Sequence, residues 1–179
     1  MRDKKAAARY SIAALDSIRD QKEMETVGRE LDAFSEAYSE NAELRKILSH
    51  PGVPGDRKKN VLRSVAAKLA MGAKSLKVVE VVLGRGRIEL IADISEIYAL
   101  LLDEKLGRQK VRVSSAYPLN GSETAELEKL FSSISGKKAV LEVGVEKSLI
   151  GGVVARVGST VYDGSVVNQL AKLRLNTEV

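Results

Sequence analysis

The sequence predicts an α+β protein, an N-terminal six-helix bundle followed by a small mixed β-sheet domain with covering helices. Three observations predict it. From about Lys4 to Leu106 apolar residues recur at steps of three and four, the spacing that puts side chains on one helix face. After Gly107 the pattern turns to short β-branched runs interrupted by one helical stretch. The connections are short and marked by glycine, proline and asparagine, as between packed elements. The change of period places the domain boundary between residues 1–106 and 107–179.

Each element has its own signal. The first helix carries Ala8, Ile12, Leu15 and Arg19 on one side, with Tyr10, Ala13 and Ala14 as additional small apolar surface. The second is the clearest: Met24, Val27, Leu31, Phe34 and Tyr38 form a continuous stripe, as expected of a core helix. Leu44, Ile47 and Leu48 predict a short third helix, stopped by His50-Pro51-Gly52-Val53-Pro54-Gly55, because proline lacks a donor and biases its predecessor away from helix. Val61, Leu62, Val65 and Leu69 mark a fourth helix ending near Gly72. A fifth spans about Ser75 to Leu83, and a sixth runs from Arg87 to about Lys105 with Ile88, Ile91, Ile94, Tyr98 and Leu101 in register. The second half reads as strand Lys110 to Ala116, helix Ser122 to Ser135, strand Lys138 to Val145, a hairpin, and a last helix from about Val166 through Leu170 and Leu173. Asn120, three residues before Glu123, fits a capping box for the middle helix.

Composition narrows the function classes. With 179 residues, 44% hydrophobic and 30% charged, the chain has the balance of a soluble globular protein. No run approaches the roughly 18 apolar residues of a membrane span. The basic start Met1-Arg2-Asp3-Lys4-Lys5 leads into an amphipathic pattern instead of a signal core, so the protein is expected to stay on the side where it is made. Cysteine is absent, and His50 is the only histidine, which argues against a zinc site or a Ser-His-Asp triad. The net charge of +5 suits an acidic partner, but basic residues alternate with acidic ones and aromatics make up only 4%. Few stacking platforms remain for nucleic acid bases.

No motif reads as a catalytic or cofactor site. Gly84-Arg85-Gly86-Arg87 lacks the lysine and the preceding strand of a phosphate loop, and fits a helix end and turn. Gly151-Gly152 lacks the third glycine of a dinucleotide motif and suggests close backbone packing before the strand of Val153, Ala155 and Val157. Asp163 and Ser165 have no histidine or positioned lysine beside them, and Asp163-Gly164-Ser165 reads as a turn capping the last helix. The fifth helix is different in kind. Leu76, Val79 and Leu83 can face the bundle, while Val78, Val81 and Val82 add a second apolar surface. Such a helix is either wholly buried or covered by a partner.

The run from Val145 through Gly151-Gly152 to Asp163-Gly164-Ser165-Val166 resembles the C-terminal signature of the delta subunit of F-type ATP synthases, a family that includes the mitochondrial oligomycin-sensitivity-conferring protein. The resemblance extends along the chain in order. It takes in Ala8-Arg9-Tyr10-Ser11-Ile12-Ala13-Ala14-Leu15, Leu48-Ser49-His50-Pro51, Gly86-Arg87-Ile88 and Val113-Ser114-Ser115-Ala116-Tyr117-Pro118-Leu119. Glu146 stands where the family more often has aspartate, and Gly84-Arg85 replaces a more polar helix end.

The resemblance implies a non-catalytic stator subunit without cofactor or metal, which ties the alpha/beta catalytic head to the peripheral-stalk b subunits and resists rotor torque. It implies that the first domain binds the N-terminal helix of one alpha subunit, through Tyr10, Ala13, Ala14, Val78, Val81 and Val82, and that the second contacts the stalk. The subunit is then expected in single copy in a hetero-oligomeric complex. It would sit peripherally on the cytoplasmic face of a bacterial plasma membrane, with no nucleic acid partner and no direct insertion into the bilayer. A generic helical adaptor and an RNA- or ribosome-associated basic protein are the alternatives, distinguished by what co-purifies.

Overall fold

The computed structural model describes residues 3–158 and 160–170, and the fold divides into two compact units between Leu102 and Asp103. In the first unit the described helices are α1 (Lys4–Asp16), α2 (Gln21–Glu40), α3 (Ala42–Ser49), α4 (Gly55–Lys68), α5 (Ala73–Gly84) and α6 (Ile91–Lys105), the last of which runs past the division. Side-chain caps start three of them: Asp3 accepts from the Ala6 N–H at 3.1 Å, Asp20 from Glu23 at 3.0 Å and Asn41 from Leu44 at 3.0 Å. Between α3 and α4, His50 Nδ1 accepts from the Gly52 N–H at 3.0 Å, an ordinary turn contact.

The whole stripe of α2, from Met24 through Val27, Leu31 and Phe34 to Tyr38, is buried. Against it lies Tyr98 of α6, fully enclosed, whose hydroxyl donates to the Met24 carbonyl at 3.0 Å. Burial, with a smaller contribution from the Glu23 charge, pushes the Tyr98 phenol up to about 12.

Two helices turn differently from their sequence reading. α1 buries Ala6, Ala7, Ser11, Ala14 and Leu15, whereas Ile12 is 47% exposed and Arg19 lies beyond the helix in solvent. Small residues decide this orientation. Ser11 Oγ reaches both the Ala7 carbonyl (3.1 Å) and the Ile94 carbonyl of α6 (2.8 Å), so a buried hydroxyl is satisfied where a larger side chain would hold the helices apart. The sixth helical stretch begins as a 3-10 turn, Ile88–Leu90, before α6 proper, and Leu102 takes the buried position expected of Leu101. Leu102 stands four residues from Tyr98 and so continues the same face.

The second unit is a mixed sheet in the order β2-β1-β3-β4, built from β1 (Arg108–Ser115), β2 (Lys138–Val145), β3 (Val153–Val157) and β4 (Thr160–Asp163). β1 and β2 are parallel, with Val113 opposite Val143, and are joined by α7 (Gly121–Ser135). β3 runs antiparallel to both β1 and β4. Asn120 and Glu123 form a capping box at the start of α7, and Gly136, at φ 66°, closes its end. Phe131 of α7 covers Val111, Val113, Ala139 and Ala155, its ring edge-on to Tyr162 with centroids 5.8 Å apart. The opposite face is charged: Lys110 and Arg112 share Glu142 at 3.2 and 3.4 Å. Residues 166–170 begin a further helix, and Leu173 lies outside the described residues. The fold is thus α+β, helices first and a four-stranded mixed sheet after.

Candidate functional site

α1 and α5 leave an apolar cleft of about 340 Å³ between them, lined by Tyr10, Ala13, Ala14 and Ser17 from α1 and by Lys74, Lys77, Val78 and Val81 from α5. Five of the six residues singled out in the sequence meet here. Ala14 is nearly buried and forms part of the floor, Tyr10 and Val78 are half-buried, and Ala13 and Val81 are open, Val81 at 48% exposure. Val82 is the exception. It is fully enclosed among Ala6, Ala7, Leu90 and Ile94 and cannot touch a partner. One residue of helix turns a side chain by about 100°, so adjacent valines cannot share the exposed face. With Val79, also at 0% exposure, Val82 is what fastens α5 to the bundle.

The wall formed by α5 is fixed from α2. The helix starts at Gly72 with no side-chain cap of its own. Glu30 supplies one across the fold: its carboxylate accepts from the Gly72 N–H at 2.8 Å and from the Ser75 hydroxyl. Between those two residues on α5, Lys74 Nζ pairs with Glu23, about two turns before Glu30 on α2, at 2.6 Å. Both acceptors sit near the N-terminal end of α5, where the helix dipole favours negative charge.

The glycine and Asp-Gly-Ser residues in the second unit make a backbone junction instead of a chemical site. Gly152 has φ 80°, and a Cβ there would stand 2.3 Å from the Gly164 carbonyl oxygen. The Val166 N–H donates to the Gly151 carbonyl at 3.0 Å, and the Gly164 N–H to that of Val153 at 3.0 Å. Asp163 Oδ1 accepts from the Ser165 N–H at 2.9 Å, and Ser165 Oγ from the Asn168 N–H at 3.2 Å, as an N-cap does.

A second, polar cleft of about 710 Å³ is lined in part by Asp3, Tyr38, Arg45, Ser49 and Glu89. Most of its polar groups are already committed to the helices: Asp3 caps α1, Arg45 donates to the Tyr38 and Ser39 carbonyls, and Ser49 bonds back to the Arg45 carbonyl. Among the described residues no group of three or more His, Cys, Asp or Glu side chains is placed to hold a metal ion.

The family model for the ATP synthase delta (OSCP) subunit matches residues 6–176. The chain belongs to that family. Its relatives include ATP synthase subunit delta of Geotalea uraniireducens, 32% identical over 168 residues and covering 94% of this chain and 93% of the relative. Those of Geobacter sp. strain M21 and Myxococcus xanthus are 33% and 32% identical, with the same coverage. The fold is shared with a chain of the Toxoplasma gondii mitochondrial ATP synthase hexamer, at TM-score 0.64 and 20% identity over 97% of each chain. A delta-family chain is a non-catalytic stator component of the peripheral stalk of an F-type ATP synthase and a peripheral part of that membrane-bound complex. Among the described residues no helix is long and apolar enough to cross a membrane.

Three lining residues of this delta-family cleft, Ser17, Lys74 and Lys77, escape an apolar pattern search because they are polar. Spacing could have found them. Lys74 and Lys77 precede Val78 and Val81 by four residues, and Ser17 follows Ala13 by four, so each lies on the same helix face.

Proposed function

We propose that the α1–α5 cleft receives an amphipathic helix from the N-terminus of one alpha subunit, and that the sheet unit holds the ends of the peripheral-stalk b subunits. The six helices ahead of β1 then act as the head-binding module, and the remainder of the chain as the stalk-binding one. The observation that carries this reading is an apolar cleft open to solvent between two helices, of a shape that suits a third. Val81, at 48% exposure, keeps apolar surface in water on a groove that a helix could cover.

The task is mechanical. Rotation of the central shaft loads the catalytic head with torque, and a tether that lets go would allow ion flow to run without ATP synthesis. Slow dissociation is therefore the property to secure, and affinity differences among related complexes lie mostly in the off-rate. In this reading the chain sits in single copy on the cytoplasmic face of a bacterial plasma membrane. The test is to label the full chain isotopically and add synthetic peptides from the alpha N-terminus and the b C-terminus in turn. The alpha peptide should shift resonances of α1 and α5, and the b peptide those of residues 107–170. An alpha peptide that perturbs only the sheet unit would reverse the assignment.

A further inference from the structure

The cleft is not electrically uniform. Val82 packs on Ala6 and Ala7, so the C-terminal end of α5 lies at the start of α1 and the two helices run in opposite directions. Lys74, at the start of α5, therefore shares one end of the cleft with Ser17, Lys77 stands one turn further in, and Tyr10 and Val81 occupy the other end. The charged side chains lining the cleft are these two lysines, with no carboxylate among the lining residues. Lys74 is balanced by Glu23. Lys77 is exposed and forms no ion pair among the described residues.

We propose that this cleft selects an amphipathic helix whose apolar stripe is bordered at one end by carboxylate side chains, docked so that the acidic end meets Lys77 and Lys74. The proposal rests on the cleft being a helix-binding site and adds which helix it takes and how it is placed. An apolar stripe alone slides and reverses with little penalty. A charge at one end of the groove removes that degeneracy, because like charge there is repelled and opposite charge is held. Lys77 can serve since it has no ion pair among the described residues, whereas Lys74 is already drawn toward Glu23.

The test uses the full chain and two synthetic helical peptides with the same apolar stripe, one carrying Glu and the other Lys at the polar positions of one terminal turn. The Glu peptide is expected to bind about tenfold more tightly at low salt, the size of two partly exposed ion pairs gained or lost. The gap should close as salt is raised. Lys77→Glu should invert the preference, and Lys77→Gln should narrow it, both with unchanged thermal melts. Equal affinities for the two peptides, or a preference that Lys77→Glu leaves intact, would overturn the charge selection while leaving the cleft as a helix site. Failure of both peptides to bind would overturn the cleft reading and the proposal with it.

Discussion

Val81 and Val82 are neighbours in sequence and opposites in consequence. Val82 and Val79 touch only protein, so an aspartate at either would bury an unpaired carboxylate and cost about 4 kcal/mol or more. Either variant should lose the cooperative helical melt. At Val81 the same substitution places the charge in water, and the melt should stay near that of the wild type. Gly152 is equally unforgiving for a different reason. An added Cβ collides with the Gly164 carbonyl at a positive φ, so Gly152→Ala should cost about 3 kcal/mol, whereas Gly144→Ala, which meets open space, should stay within about 0.5 kcal/mol. Comparing the denaturation of those two variants checks this, and equal stability would contradict the junction described. Tyr98 sets a pH limit. Its folded phenol titrates near 12, against about 10 unfolded, so its contribution is complete below pH 10 and is lost as pH rises from 10 to 12. Stability measured over that window should fall less steeply in Tyr98→Phe.

At the scale of elements, the placement of α5 decides whether the cleft exists. Glu30 caps it from α2, and Glu30→Ala leaves the Gly72 N–H and the Ser75 hydroxyl without that acceptor. The expected loss is about 1 kcal/mol of stability, together with weaker binding of a helix in the cleft. Binding unchanged beside a lowered melt would show that α5 keeps its place without the cap. This contact illustrates what the sequence could and could not reveal. The stripe of α2 was legible because its period is strict and every member is large. The excess of apolar residues on α1 and α5 was legible, but it left full burial and a covered face equally open, and only the family resemblance pointed to a groove between them. The rotation of α5 was not, because Val78, Val79, Val81 and Val82 put apolar side chains on several faces, and only packing against Ala6, Ala7, Leu90 and Ile94 selects Val82 for the core. The buried face of α1 was not legible either, because it includes the polar Ser11. The Glu30 cap joins residues 42 apart, a separation that no local pattern reports.

In the molecule as a whole, the division after Leu102 separates a helical unit with its own core from a sheet unit with another. A fragment of residues 1–105, which retains all of α6, should therefore fold alone with a cooperative melt, and circular dichroism of that fragment checks it. A fragment that remains unfolded would show that the helical unit depends on the sheet. In the proposed role each unit carries load without chemistry of its own. In that role the α1–α5 cleft is the handle for the catalytic head. The most direct measurement is the affinity of the full chain for a synthetic alpha N-terminal peptide, in the wild type and in Val81→Asp, with thermal melts run alongside. The wild type should bind saturably, and Val81→Asp should lose at least about tenfold, or 1.4 kcal/mol, while melting as the wild type does. A folded Val81→Asp chain that binds the peptide as tightly as the wild type would contradict the account.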